Sequence, residues 1–230
     1  MTKSKTNKLH VEPVSETRFS RTADVLRRAI LNGDFKPGDR LIDRELCEQT
    51  GVGRSSIREA LRQLEAEFLI EYIPNRGAVV NSMTPKIAQE VYQLRLAIEG
   101  LGVRLFTANA TDEQIGELVQ AVDRYEVTMK HGDLDEILKA TSYFYDILFK
   151  GSGNDLAAQF SKILRAKMSY LRAMITHRQS EAQRDMYIRT LRDIIAQIRT
   201  RDANASYAAC QRHIEHASSI AISMLSNTEA

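Results

Sequence analysis

The sequence predicts a mainly α protein in two parts: a small N-terminal unit of three short helices and a hairpin, then an antiparallel all-α bundle of about six helices. Three observations carry this expectation. Up to Val80, short helical patterns alternate with strand-like runs and turn residues. Beyond Pro85, apolar residues recur at helical spacing along the rest of the chain. Junctions rich in Gly, Ser, Asn and Asp cut that second part into segments of helix length.

Residues 1–16 show no periodicity and read as a flexible arm. In the unit spanning 17–80, Phe19, Ala23, Leu26 and Ile30 mark a first helix, stopped by Asn32-Gly33-Asp34. Lys36-Pro37-Gly38-Asp39 makes a turn that leads into a short strand, Arg40-Leu41-Ile42. Asp43 stands as the N-cap of a second helix reaching about Thr50. Gly51-Val52-Gly53 breaks it, and a third helix covers about 54–67. Apolar runs at 68–73 and 78–80, joined by Pro74-Asn75-Arg76-Gly77, give the hairpin.

After a linker at 81–84, residues 85–230 make the helical part. Ile87, Val91, Leu94, Ile98, Leu101 and Leu105 alternate in steps of four and three and predict one inward stripe. Five further segments repeat the pattern at 111–130, 133–150, 155–176, 181–200 and 202–226, which gives an antiparallel bundle.

Bulk properties narrow the function classes. The chain has 230 residues, 43% hydrophobic and 27% charged, as an ordinary globular protein does. Its apolar runs are too short for a membrane span and its polar N-terminus lacks a signal-peptide core, so a cytoplasmic location away from membranes is expected. Cys47 and Cys210 are far apart in helical patterns and are expected to stay reduced. The formal net charge of +2 does not by itself mark a nucleic-acid binder. The placement of the basic residues says more.

Two helices around a tight Gly-containing turn, followed by a hairpin, are the parts of a winged helix-turn-helix. In the third helix Ile57, Ala60, Leu61 and Leu64 face inward, while Arg54, Ser55 and Arg58 share the outward face beside Gly53 and Ser56. Such a helix enters the major groove N-terminus first, where Arg pairs with guanine and the helix dipole favours phosphate. Arg44 is placed to hold the DNA backbone, and Arg76-Gly77 at the wing tip to lie along the minor groove. The competing reading of the same side chains is a solvated basic face. The stretch GDFKPGDRLIDRELCEQTGVGRSSIREALRQLEAEFLIEYIPNRGAVV closely resembles the DNA-binding domain of the GntR family of regulators, over residues 17–80. It departs from the family where the usual Ser-Arg-Thr-Pro is Gly53-Arg54-Ser55-Ser56, and where the usual Gly before the wing is Phe68.

Residues 85–230 resemble the FCD domain, the effector-binding and dimerising half of the FadR-type branch of that family. The resemblance rests on Leu94-Arg95-Leu96-Ala97-Ile98-Glu99, on Phe144 followed by Ser152-Gly153-Asn154, and on Asp202 followed by His213-Ile214. Members of this branch often hold a divalent metal through an Asp and three His. The resemblance puts those positions on Thr141, Tyr145, Leu191 and His213, and only His213 keeps a metal-binding group. No metal or other cofactor is therefore expected; the alternative is a different site that recruits His216, one turn from His213, or His177 at a helix end. The six residues expected to line an effector site are Arg95, Thr141, Tyr145, Arg172, Leu191 and His213, with the two arginines neutralising an organic acid. Three of these have a second reading: for Arg95 an ion pair with Glu99 one turn on, for Arg172 a solvated side chain, and for His213 a buried histidine hydrogen-bonded to a neighbour.

No phosphate loop, no nucleophile with a matched base and no metal cluster points to an enzyme. The resemblance implies a homodimeric repressor on double-stranded, palindromic operator DNA, with a small metabolite setting its affinity. The alternative is a constitutive DNA-binding protein whose helical half only dimerises.

Overall fold

The computed structural model describes residues 18–176 and 179–226; the expected arm, the Phe19 side chain and His177 lie outside the described residues. The N-terminal unit contains α1 (Arg18–Asn32), α2 (Asp43–Thr50), α3 (Arg54–Ala66), β1 (Ile70–Ile73) and β2 (Gly77–Val80). The bundle contains α4 (Pro85–Asn109), α5 (Asp112–His131), α6 (Leu134–Ser152), α7 (Asp155–Thr176), α8 (Glu181–Arg199) and α9 (Ala203–Ser226). The expected mainly α class is the one observed.

Ala23, Leu26 and Ile30 of α1 close over Ile57, Ala60, Leu61 and Leu64 of α3, and all seven are buried. A bidentate pair, Arg27 Nε and Nη2 to the Glu67 carboxylate at 2.6 and 2.7 Å, ties α1 to the end of α3. Gly51 ends α2 in the left-handed region at φ +71°, where only a residue without Cβ is unstrained. β1 and β2 pair antiparallel from Ile70–Val80 to Ile73–Gly77.

Two local expectations need correction. Arg40-Leu41-Ile42 is not a strand of its own: Arg40 makes a single bridge to Val79, and the Leu41 N–H donates to the Ala78 carbonyl at 2.9 Å. Pro37 and Gly38 bend the chain away before the ladder can extend. Asp43 does not cap α2 either, since Ile42 holds the cap position and no side chain satisfies it. The Asp43 carboxylate instead binds Arg58, a charged partner that outbids a backbone N–H.

In the bundle, α4 packs against α6, α7, α8 and α9. Its inward face is Ala88, Val91, Tyr92, Arg95, Glu99, Val103 and Phe106. The predicted leucine stripe is rotated from that face, and Leu94 and Leu101 are exposed. Apolar side chains nearly surround this helix, so periodicity alone could not choose a face. Glycines chose it: a Cβ on Gly100 would stand 2.6 Å from Tyr207, and one on Gly102 2.7 Å from Phe149. Helix starts are well marked, with capping boxes at Thr111–Gln114, Asp133–Glu136 and Ser180–Gln183. Among the described residues no helix is long and apolar enough to cross a membrane.

The two units share a seam. Met83 of the linker packs against both hydrophobic cores, and Leu134 and Leu138 of α6 join the N-terminal core. Lys167 of α7 stands 5.2 Å above the Phe68 ring. Phe68, at the position where the family places Gly, adopts φ +58°. The ring is half-buried, and the cation contact offsets part of a backbone strain of about 1–3 kcal/mol.

Candidate functional site

Two regions carry the expected functional residues. The first is the outer surface of α3 and the wing. Arg54, Ser55 and Arg58 are exposed, Ser56 is half-buried, and Gly53 precedes them in extended conformation without a side-chain cap. The first N–H groups of α3 are therefore free to meet a phosphate. Arg54 has no partner among the described residues, whereas Arg58 Nε donates to Asp43 Oδ2 at 2.9 Å. Arg44 is exposed and only loosely paired with Glu48 at 3.9 Å. Arg76 and Gly77 are exposed at the wing, where the Arg76 carbonyl accepts from Arg40 Nε at 2.8 Å.

Between α3 and the wing lies a concavity of about 670 Å³ lined by Arg40, Arg58, Arg62 and Arg76 together with Asp43 and Glu65. Four guanidiniums against two carboxylates give it a positive sign. Arg40 and Arg62 were missed from the sequence. Arg62 follows Arg58 by one turn and Arg54 by two, so extending the helical spacing would have found it. Arg40 is brought in only by its tertiary contact with the wing.

The second region lies inside the bundle. Arg95 is 2% exposed and gives Nε and Nη2 to the Glu99 carboxylate at 2.7 and 2.9 Å. Tyr145 donates to Glu99 Oε2 at 2.7 Å and accepts from Arg95 Nη2 at 3.1 Å. Burial, then the Glu99 carboxylate, pushes the Tyr145 phenol well above its ordinary range, so it remains a donor. Arg172 Nη1 donates to the Tyr125 hydroxyl at 2.7 Å and to Thr141 Oγ1 at 3.0 Å. Its Nη2 lies 3.4 Å from the Tyr187 hydroxyl.

Two cavities meet at these arginines. A small one of about 40 Å³ is walled by Tyr92, Tyr125, Met129 and Tyr187. A larger one of about 250 Å³ opens between α6 and α7. Arg95, Met168 and Arg172 border both. The structure therefore gathers Arg95, Thr141, Tyr145 and Arg172 around one polar interior. Leu191 and His213 are buried behind it and border neither cavity. His213 meets the site through Tyr187, with ring centroids 4.5 Å apart.

Burial, followed by the nearby Arg95 and Arg172 charges, holds the His213 imidazole well below its usual pKa, so the ring is neutral. Thr190 Oγ1, 2.8 Å from His213 Nδ1, also lies within reach of the Met186 and Tyr187 carbonyls. His213 Nε2 is buried without a partner among the described residues. Tyr125 and Tyr187 were missed from the sequence, although Tyr187 sits one turn before Leu191 on the inward stripe.

These residues do not suit a divalent metal. Thr141 and Tyr145 are engaged by Arg172, Arg95 and Glu99, Leu191 has no donor, and two guanidiniums stand beside the one remaining nitrogen. Among the described residues no group of three or more His, Cys, Asp or Glu converges. His216 Nε2 is likewise buried without a partner, and His177 lies outside the described residues.

Comparison with known proteins adds a family context. The family model for bacterial regulatory proteins of the gntR family matches residues 19–80, and that for the FCD domain matches residues 90–216. The chain is 28% identical over 192 residues to the uncharacterized HTH-type transcriptional regulator YdhC of Bacillus subtilis (strain 168), covering 83% of this chain and 85% of that one. It is 26% identical over 194 residues to the HTH-type transcriptional repressor RspR of Escherichia coli (strain K12), covering 84% of each. The solved structure of E. coli McbR/YncC superposes with a TM-score of 0.71 at 20% identity, over 95% of this chain and all of that one, which is a likeness of fold.

Proposed function

Since the chain belongs to the gntR family of bacterial helix-turn-helix regulators and carries an FCD domain, we propose that it is a repressor of the FadR-type branch, binding a palindromic operator as a homodimer. Its family and fold are those of transcription regulators and not of enzymes. A small organic acid held in the bundle, without a metal, sets its operator affinity. The observation that carries this reading is the division of labour among its arginines: exposed on α3 and the wing, buried (Arg95) or half-buried (Arg172) around a cavity in the bundle.

Arg54 and Arg58 read base edges, with Ser55 and Ser56 beside them. Arg44 and the free N–H groups after Gly53 hold phosphates, and Arg76-Gly77 at the wing tip lies along the minor groove. Arg95, Thr141, Tyr145 and Arg172 line the effector site, with Leu191 and His213 forming the wall behind. Dimerisation follows from the few contacts that one recognition helix offers. Exposed Leu94 and Leu101 on α4, and Leu156, Phe160 and Ile163 on α7, provide apolar surface for a second copy. The likeness to RspR, named a repressor, supports the sign of regulation.

The test is fluorescence anisotropy with duplexes from the regulator's own upstream region, intact and scrambled, with sedimentation of the complex. Preference for the intact duplex at two chains per site is expected. Equal affinity for both duplexes would sink the proposal.

A further inference from the structure

We propose that Arg172 anchors a single carboxylate, and that the α6–α7 cavity takes a small monocarboxylic acid with an otherwise neutral body. This deepens the effector-site reading above and rests on it. The charge inventory of the cavity carries the argument. Glu99 answers Arg95 through two short hydrogen bonds, and Asp146 answers Arg165 at 3.1 Å. Arg172 has no carboxylate partner among the described residues. Its three acceptors are the hydroxyls of Tyr125, Thr141 and Tyr187, which remove no charge.

The remaining donors point to the shape of the missing partner. Nη1 is occupied twice, Nη2 has only the 3.4 Å contact, and Nε has no acceptor among the described residues. The edge formed by Nε and Nη2 is the one a carboxylate bridges with two parallel bonds. Arg95 gives that same edge to Glu99. Arg172 is half-buried, and a guanidinium partly withdrawn from water without a counter-charge is relieved by an anion where a neutral ligand of the same shape would not relieve it.

Size and lining set the rest of the ligand. A cavity of about 250 Å³ holds roughly eight waters' share of liquid volume, near the lower limit for ligand sites. Leu138, Ala166 and Met168 offer an apolar wall, and Ser169 a hydroxyl. Lys162, at the solvent end, is exposed. Its ammonium is hydrated and screened, so a second carboxylate would gain little there.

The experiment follows thermal unfolding of the full-length protein at constant ionic strength. Probes are acetate, propionate, butyrate, lactate, pyruvate and benzoate, each beside its amide, with succinate and inorganic phosphate as further arms. At least one monocarboxylate should raise the Tm by about 3 °C or more at millimolar concentration, and its amide should not. Arg172→Met should abolish the shift. Arg172→Lys, which keeps the charge and loses the fork, should weaken binding at least about tenfold and decides the matter if Arg172→Met does not fold.

The inference is overturned by an amide that matches its acid, or by a shift that survives in Arg172→Met or is undiminished in Arg172→Lys. It is equally overturned if succinate or phosphate exceeds every monoacid, or if no acid shifts the wild type. Operator affinity on the same samples separates this inference from the reading beneath it. Acids that fail while the operator still binds remove only the anion site. An acid that binds through Arg172 yet leaves operator affinity unchanged removes the effector role and keeps the site.

Discussion

Arg54 and Arg58 on α3, and Arg95 and Arg172 in the bundle, are one residue type in two surroundings. On α3 the guanidiniums stand in water, where a partner contributes little and salt screens it. Arg58 is 66% exposed on its side chain even while bonded to Asp43. In the bundle, Arg95 is 2% exposed and its pair with Glu99 is sheltered from solvent. The difference teaches where each cation is committed. An exposed arginine is exchangeable and can leave its acidic neighbour for DNA, while a buried one fixes the fold unless its partner is missing.

The largest effect should come from breaking the sheltered pair. Glu99→Ala leaves Arg95 buried and unanswered, and should cost about 3–5 kcal/mol in urea unfolding. Glu48→Ala, which removes the exposed partner of Arg44, should stay within about 0.5 kcal/mol in the same measurement. Equal costs would end the distinction between the two regions.

Operator binding gives the next effect. Arg54→Ala should lose about 1–3 kcal/mol of operator affinity and relax preference at one base pair, with unfolding unchanged. Asp43→Asn sharpens the point. It frees Arg58 and removes a negative charge from the concavity, so binding to any duplex should tighten and its salt dependence steepen. A looser Asp43→Asn complex would mean that Asp43 serves by positioning Arg58.

Acidity probes the sheltered side alone. His213 is held neutral, with its folded pKa well below the ordinary 6.5. Below that ordinary value the unfolded chain takes up a proton that the folded chain refuses, so this stability contribution is present above pH 6.5 and falls as pH drops. The slope is up to about 1.4 kcal/mol per pH unit. His213→Gln should flatten the acid limb of a stability-against-pH curve by that amount. An unchanged limb would show that the ring titrates freely. The smallest effect belongs to Arg44→Ala, which should weaken all duplexes alike and lower the salt slope by about 1.

Much of this molecule was legible locally. The stripe Ile57, Ala60, Leu61 and Leu64 fixed the inward face of α3, and with it the outward face of Arg54 and Arg58. Thr111, Asp133 and Ser180, each followed three residues later by Gln or Glu, carry a capping signal at three helix starts that was missed from the sequence. Thr141 and Tyr145 were placed near one another by resemblance, Arg172 was read from its helical stripe, and the three do converge. His213 and Leu191 did not reach the cavity, because Tyr187 fills the space in front of His213 and Leu191 belongs to the apolar packing.

What the sequence determined by itself were periods and approximate ends: the helices, the turn at Gly51 and the polar face of α3. Each depends on residues within one or two turns, where the backbone repeat fixes neighbours. The tertiary structure alone decided which side of α4 faces inward, that Tyr145 meets Glu99 across 46 positions, and that Arg172 has no carboxylate partner among the described residues, whereas the Arg95–Glu99 pair, one turn apart, was legible in the sequence. It also set Leu138 between the ligand cavity and the N-terminal core. Those outcomes depend on close packing between distant segments, and no local spacing encodes which side chain will occupy the space another leaves.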